Sequence, residues 1–165
     1  MSKNRKIIDN EILMVQPAKT KLDVEGLSIK CSVEKQKRSM SAAVEKQSAI
    51  NPDKGVVMKD ILDYMNSNYW MLELSQTHIA EKFCMSVSSL NRCFKSFTGR
   101  TYVDVLGIIR MDRMLELLEA GSMRDRDIGE AIGIPDPHYL SIWFKKMTGV
   151  SVTEYRNTRR ADTAC

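Results

Sequence analysis

The 165-residue sequence is poor in the residues on which several classes of protein depend. Aromatic residues make up only 7%, which suits a core of packed helices better than a β-sandwich. Four cysteines occur without any C-x-x-C spacing, and only two histidines, His78 and His138, accompany them. We therefore expect no zinc site and no disulfide framework, and the expected reduced thiols predict a cytoplasmic protein.

Long apolar runs and enzyme motifs are also missing. No stretch approaches the roughly 18–20 apolar residues that cross a bilayer, and Asp9, Asn10 and Glu11 interrupt the N-terminal apolar run, which is not typical of a signal peptide. The chain lacks G-x-S-x-G, H-E-x-x-H and P-loop motifs. We therefore expect no membrane partner, no cofactor and no enzymatic activity.

Positive charge is unevenly distributed along the chain. The formal net charge is +4, and residues 1–55 supply all of it, with 11 Lys and Arg against 7 Asp and Glu. In the remainder, two basic islands at 82–103 and 137–160 flank an acidic segment at 104–136. Basic islands are typical of phosphate-binding faces, because bound Lys and Arg release condensed counterions. A solvated helix surface has the same composition, so charge alone leaves both interpretations open.

The two basic islands contain one motif twice, at an offset of 50 residues. Residues 88–101 read S-S-L-N-R-C-F-K-S-F-T-G-R-T, and residues 138–151 read H-Y-L-S-I-W-F-K-K-M-T-G-V-S. In each copy the apolar residues have helical spacing, a glycine predicts the end of that helix, and a capping-box pair predicts the start of the next. The chain is therefore expected to contain one supersecondary unit twice.

A shorter helix is predicted before each motif, from Ser75 to Phe83 and from Arg124 to Ile132. A brief connection follows, and a small residue, Ala80 or Gly129, lies where the two helices would cross. This is the helix-turn-helix pattern. Between the two units a helix of about 29 Å is predicted from Thr101 to about Glu119. Its length is compatible with recognition helices in successive major grooves, about 34 Å apart.

The segment from Ile61 to Arg156 resembles the DNA-binding domain of the AraC/XylS family of bacterial transcription regulators. Four motifs in order carry the resemblance: L-S-Q-T-H-I-A at 74–80, M-S-V-S-S-L-N-R-C-F-K-S-F-T-G at 85–99, I-R-M-D-R-M-L-E-L-L at 109–118 and P-D-P-H-Y-L-S-I-W-F-K-K-M-T-G-V-S at 135–151. It implies an all-α domain at 56–165 with about seven helices. The first helix-turn-helix unit is expected at about 72–99, the connector at about 101–119 and the second unit at about 124–149.

The resemblance also implies which side chains meet DNA. The base-reading positions are Ser88, Asn91 and Arg92 in the first unit and His138, Ser141 and Ile142 in the second. Arginine can donate two hydrogen bonds to guanine and asparagine can pair with adenine, whereas Ile142, where the family usually has a basic residue, can contact only a thymine methyl group. We therefore expect the first unit to carry most base specificity. The candidate phosphate contacts are Lys95, Arg100, Lys145, Lys146 and Arg156.

Residues 1–55 are expected to form a short N-terminal segment and linker, too short for the effector-binding barrel that family members usually carry. The stretch from Leu22 to Val33 predicts one or two strands around Glu25 and Gly26, and the lysine-rich residues 32–48 predict a flexible linker. The expected fold class is thus all-α with a flexible or weakly β N-terminal segment. The segment that resembles the family, from Ile61 to Arg156, departs from the family pattern at Met114, Asp125 and Val152.

The implied function is sequence-specific regulation of transcription, more commonly activation, through double-stranded promoter DNA. RNA polymerase and a protein co-regulator are the further partners that the resemblance suggests. The alternative is an interaction protein that keeps the fold but acts mainly through polymerase, a co-activator or a related regulator. Ile142 and the short N-terminal segment favour that alternative, and the basic residues Arg92, Lys95, Lys145 and Lys146 oppose it.

Overall fold

The computed structural model describes residues 26–162 and, within them, eight α-helices. They are α1 (Gly26–Ile50), α2 (Pro52–Asn68), α3 (Gln76–Lys82), α4 (Val87–Thr98), α5 (Tyr102–Ala120), α6 (Asp125–Ala131), α7 (Pro137–Thr148) and α8 (Val152–Asp162). Helices α2 to α8 are the seven expected from the sequence, and α1 is additional. The all-α fold with two helix-turn-helix units on a long central helix is confirmed. In this part of the chain no helix is long and apolar enough to cross a membrane.

Helix ends follow the capping signals in the sequence. The side chain of Ser86 accepts a hydrogen bond from the backbone N–H of Ser89 and starts α4. Thr101 and Asp104 form a reciprocal capping box that starts α5. Gly99 ends α4 and Gly149 ends α7, both in the left-handed conformation with φ of 70° and 86°. The two halves of the chain therefore repeat in local geometry as well as in sequence.

The interior is divided into two hydrophobic cores that share α5. The first core contains Leu90 and Phe94 of α4 together with residues of α2, α3 and the N-terminal half of α5. The second contains Leu140 and Phe144 of α7 together with residues of α6, of α8 and of α5 from Ile108 onward. Each helix-turn-helix unit thus has a core of its own, and the central helix contributes one end to each.

Two departures from the family pattern lie in the second core. Met114 is fully buried and Val152 is 5% exposed, so both side chains pack as apolar residues should. Tyr155 of α8 packs edge-on against Phe144, with ring centroids 5.8 Å apart. The unusual residues at these positions therefore leave the second core filled.

The N-terminal expectation is wrong from Gly26 onward. Strands were expected up to Val33, and a flexible linker over 32–48, but residues 26–50 form the 25-residue helix α1. The reason is an apolar stripe within a polar sequence: Val33, Met40 and Val44 are all buried against the domain. Tertiary contacts thus decide the structure of a segment whose average composition is that of a linker. The expected strand residues before Gly26 lie outside the described residues.

Candidate nucleic-acid interface

Both helix-turn-helix units use the same turn between their two helices. In the first, the N–H of Met85 donates to the carbonyl of Ala80 at 2.8 Å, and in the second the N–H of Ile134 donates to that of Gly129 at 2.7 Å. The residue before each donor has a positive φ: 52° at Cys84 and 78° at Gly133. This turn fixes the angle at which the second helix of each pair leaves the first.

The small residue at the helix crossing of the second unit is required by backbone proximity. A Cβ added to Gly129 would lie 2.5 Å from the carbonyl oxygen of Ile134 and 3.2 Å from a methyl group of Leu140. Ala80, the corresponding residue of the first unit, is 2% exposed. The prediction that these positions mark the crossing is confirmed.

The first recognition helix, α4, separates an apolar face from a polar one. Leu90 and Phe94 are fully buried. Ser88, Asn91, Arg92 and Lys95, at positions i, i+3, i+4 and i+7, are all exposed. The guanidinium of Arg92 makes one long hydrogen bond, 3.5 Å to the hydroxyl of Ser89. The predicted base-reading residues of this helix therefore lie together on one accessible face.

The second recognition helix, α7, repeats this arrangement with a weaker set of side chains. His138, Ser141, Ile142 and Lys145 are exposed in the same register, and Ile142 is 53% exposed. The hydroxyl of Ser141 donates to the carbonyl of Pro137 at 2.9 Å, which occupies its donor within the helix. Trp143 is half-buried and packs against the second core. The face of α7 therefore offers fewer hydrogen-bond donors to a base than that of α4.

Ion pairing distinguishes the basic residues of the acidic segment from the basic residues of the recognition helices. Arg124 pairs with Asp127 at 3.0 Å, Arg126 with Glu130 at 3.3 Å and Arg113 with Glu116 at 2.5 Å. The Arg124 guanidinium, hydrogen-bonded to Asp127, lowers the pKa of that carboxyl group. Across residues 29–158, by contrast, no carboxylate lies within ion-pairing distance of Arg92, Lys95 or Lys145. The exposed faces of α4 and α7 thus carry basic side chains that form no direct ion pair, a property they share with exposed lysines of α1 and α2 such as Lys35 and Lys59.

One predicted phosphate contact is held inside the protein. The guanidinium of Arg156 donates to Asp125 at 2.9 and 3.1 Å and to the carbonyl oxygen of Met123 at 2.8 Å, and its side chain is only 19% exposed. These bonds tie α8 to the start of α6 and explain why an acid stands at position 125. We therefore remove Arg156 from the phosphate set. Lys95 and Lys145 are exposed, and Arg100 and Lys146 are half-buried.

Arg110 is an important residue that the sequence analysis did not single out. Its Nε donates to the carbonyl of Tyr69 at 2.9 Å and its Nη2 to that of Met71 at 3.1 Å, and burial lowers its pKa. An arginine within the apolar run of α5 is the only signal that could have indicated a buried role. It holds the segment that leads into the first helix-turn-helix unit.

Two helix-turn-helix units with exposed, basic second helices define the class of the fold: a bipartite helix-turn-helix domain of the DNA-binding type. The helix-turn-helix domain family matches residues 79–158. The C-terminal domain of AraT, a response regulator from Geobacillus stearothermophilus, is 31% identical and has a TM-score of 0.59, covering 61% of this chain and 83% of that one. The DNA-binding domain of AdpA, solved in complex with a target DNA, shares the fold at 22% identity with a TM-score of 0.60, covering 64% of this chain and 95% of that one.

Curated relatives point to the same family. The uncharacterized HTH-type transcriptional regulator YisR of Bacillus subtilis is 31% identical over 49% of this chain and 31% of its own length. The arabinose operon regulatory protein of Salmonella typhimurium is 25% identical over 66% of this chain and 38% of its own. The chain thus spans less than two-fifths of the length of these relatives. It belongs to the AraC/XylS family through its helix-turn-helix domain, as the sequence motifs indicated.

Proposed function

We propose that this protein binds double-stranded promoter DNA in a sequence-specific manner and regulates transcription. Helices α4 and α7 are placed in successive major grooves of one duplex. The observation that carries the proposal is the matching position of basic residues in the two units: Arg92 and Lys95 on α4 and Lys145 on α7 are exposed on the second helix of each unit and form no direct ion pair in the described chain. Such cations gain most from replacing the counterions of a phosphate backbone.

The two units divide the work between them. Arg92 and Asn91 supply the donors and acceptors that distinguish guanine and adenine in the major groove, with Ser88 one turn earlier on the same face. On α7, Ile142 offers only apolar contact, and the backbone-bonded Ser141 offers little more. Lys145 and Lys146 hold the phosphate backbone and thereby set the register of α7 without reading sequence. Most base specificity therefore comes from α4.

The regulatory outcome that we propose is activation through contact with RNA polymerase in the cytoplasm. A second candidate, action mainly through a protein partner such as a co-regulator, is favoured by one observation. Trp70 is 54% exposed and Leu72 is 69% exposed, both in the segment between α2 and α3. Large apolar side chains at a protein surface are typical of contacts with other proteins.

Footprinting on genomic promoter fragments, with and without RNA polymerase, tests the two candidates together. The DNA-binding function predicts protection by the protein alone, in two patches about one helical turn apart, with affinity that falls steeply as salt rises. Protection only in the presence of polymerase would support the second candidate. Absence of protection under both conditions, at any salt concentration, would contradict the proposed function.

A further inference from the structure

Helix α1 touches both hydrophobic cores. Val33, 7% exposed, belongs to the second core, and Ile29 packs against the same core. Met40 and Val44, 8% and 9% exposed, belong to the first. The three buried residues follow one another at steps of seven and four, so they form a single stripe along α1. A helix of 25 residues is about 37 Å long, long enough to reach from one unit to the other.

Two ion pairs fix the alignment of α1 on the central helix. Lys30 pairs with Glu119 at 2.6 Å, and Lys37 pairs with Asp112. Seven residues forward on α1 correspond to seven residues backward on α5, so the two helices run antiparallel in a defined register. On α5, Asp112 lies between Met111 and Met114, which are buried in the second core, and three residues after Ile109, which is buried in the first. The Lys37 pair thus lies near the boundary between the two units.

We propose that α1 is a brace that holds the two helix-turn-helix units at a fixed separation and thereby sets the half-site spacing that the protein accepts. This inference rests on the proposed DNA-binding function. Because each unit has its own core, the placement of α7 relative to α4 depends on elements that contact both units. Two linked binding modules reinforce each other only where their geometry allows both to engage at once. If α1 keeps the two helix-turn-helix units at a fixed distance, the protein binds tightly only to DNA whose half-sites have the matching spacing.

The test uses the full chain and three DNA duplexes. One duplex carries the two half-sites at their natural spacing, one has two additional base pairs between them, and one carries the α4 half-site alone. Two base pairs turn one half-site by about 70° relative to the other. The variant V33D/K37E places carboxylates in the second core and opposite Asp112. The matched control K35E/S41D changes the charge of α1 by the same amount at two exposed positions.

Parent and control are expected to bind the duplex with inserted base pairs about 100-fold more weakly than the duplex with natural spacing. V33D/K37E is expected to lose only about threefold there, with faster amide hydrogen exchange in α1 and an unchanged affinity for the single half-site. If α1 is released and the 100-fold discrimination remains, α5 sets the spacing without it and the proposal is wrong. If hydrogen exchange shows that α1 stays in place in V33D/K37E, the contacts of Val33 and Lys37 are not what holds it, and the proposal is again wrong.

A second pair of variants covers the case in which V33D/K37E does not fold. Lys37→Glu alone should reduce the discrimination between spacings, and adding Asp112→Lys should restore it, because the swapped charges attract again. No reduction in Lys37→Glu, or no recovery in the swapped pair, would overturn the brace. If the parent protein binds none of the three duplexes, the failure lies with the proposed DNA-binding function and not with α1.

Discussion

Gly133 and Arg110 approach so closely that a Cβ on Gly133 would lie 2.8 Å from Nη2 of Arg110. Gly133 forms the turn of the second helix-turn-helix unit. Arg110 lies on α5, and its guanidinium holds the carbonyl groups of Tyr69 and Met71 ahead of the first unit. One arginine therefore connects the turn of one unit to the entry of the other, and the glycine is what makes room for it.

Replacing Gly133 by alanine should destabilise the protein more than the same change at Gly99. Both residues have a positive φ, 78° and 70°, which costs an alanine about 1–2 kcal/mol. Only Gly133 is crowded, since the added Cβ would also lie 2.8 Å from the carbonyl of Trp70, while nothing lies within 4 Å at Gly99. We expect Gly133→Ala to lower the free energy of unfolding by about 3 kcal/mol and Gly99→Ala by about 1 kcal/mol in urea titrations. Equal losses would contradict the close contact.

Loss of the Arg156 side chain should reduce stability, whereas loss of the Lys145 side chain should reduce the salt dependence of DNA binding. Arg156→Ala removes charge-assisted hydrogen bonds to Asp125 and should lower the free energy of unfolding by about 1–3 kcal/mol. It should leave the salt dependence of DNA binding unchanged. Lys145→Ala should leave stability nearly unchanged and reduce the slope of log K against log salt by about one. A reduced salt slope in Arg156→Ala would return that residue to the phosphate-contacting set.

The start of α8 should weaken in acid because of one capping carboxylate. The Ser151 backbone N–H and hydroxyl, both hydrogen-bonded to Glu154, lower the pKa of that carboxyl group. A depressed folded-state pKa means stability that is present above the ordinary pKa of glutamate and is lost as the pH falls through the folded value. NMR titration of Glu154 should show the low pKa in the parent and in Thr153→Ala. In Ser151→Ala, which keeps the backbone N–H and removes the hydroxyl, the pKa should move up part of the way toward the ordinary value, and no movement would contradict the contribution of the hydroxyl.

Introducing a basic residue at position 142 should strengthen DNA binding. Ile142 is 53% exposed on the face of α7 that also carries Lys145, so Ile142→Arg adds a phosphate or guanine contact without disturbing the core. Ile50→Arg, at the C-terminal end of α1 where the isoleucine is 65% exposed, adds the same charge on a helix outside the two helix-turn-helix units. We expect tighter binding for Ile142→Arg than for Ile50→Arg in titrations at equal salt. Weaker binding for Ile142→Arg would show that the isoleucine itself contacts DNA.

Much of the domain could be predicted because its signals are local. The capping pair Thr101 and Asp104 and the glycine at 99 fix helix ends through neighbours in sequence. The apolar spacing around Leu90 and Phe94 identifies the buried face of α4, and its polar face follows from the helical period. The same signals recur 50 residues later and predict α7. The repeated motif therefore allowed both helix-turn-helix units to be predicted.

The rest depends on contacts between distant parts of the chain. Helix α1 is polar on average, and it becomes part of the fold through the buried side chains Val33, Met40 and Val44 and through ion pairs to distant acids of α5. The bonds from Arg156 to Asp125 and from Arg110 to Tyr69 span 31 and 41 residues. A single sequence does not show which distant acid or carbonyl group an arginine will meet.

The measurement that tests the central proposal most directly is the affinity of Arg92→Ala for a panel of duplexes with single base-pair changes in the bound site. Arg38→Ala, which removes a guanidinium 85% exposed on α1, serves as the control. We predict that Arg92→Ala loses about 1–3 kcal/mol of binding free energy on the best site and stops discriminating at one base pair, while the control keeps the parent's profile. If Arg92→Ala bound every duplex as the parent does, direct reading of bases by α4 would be refuted.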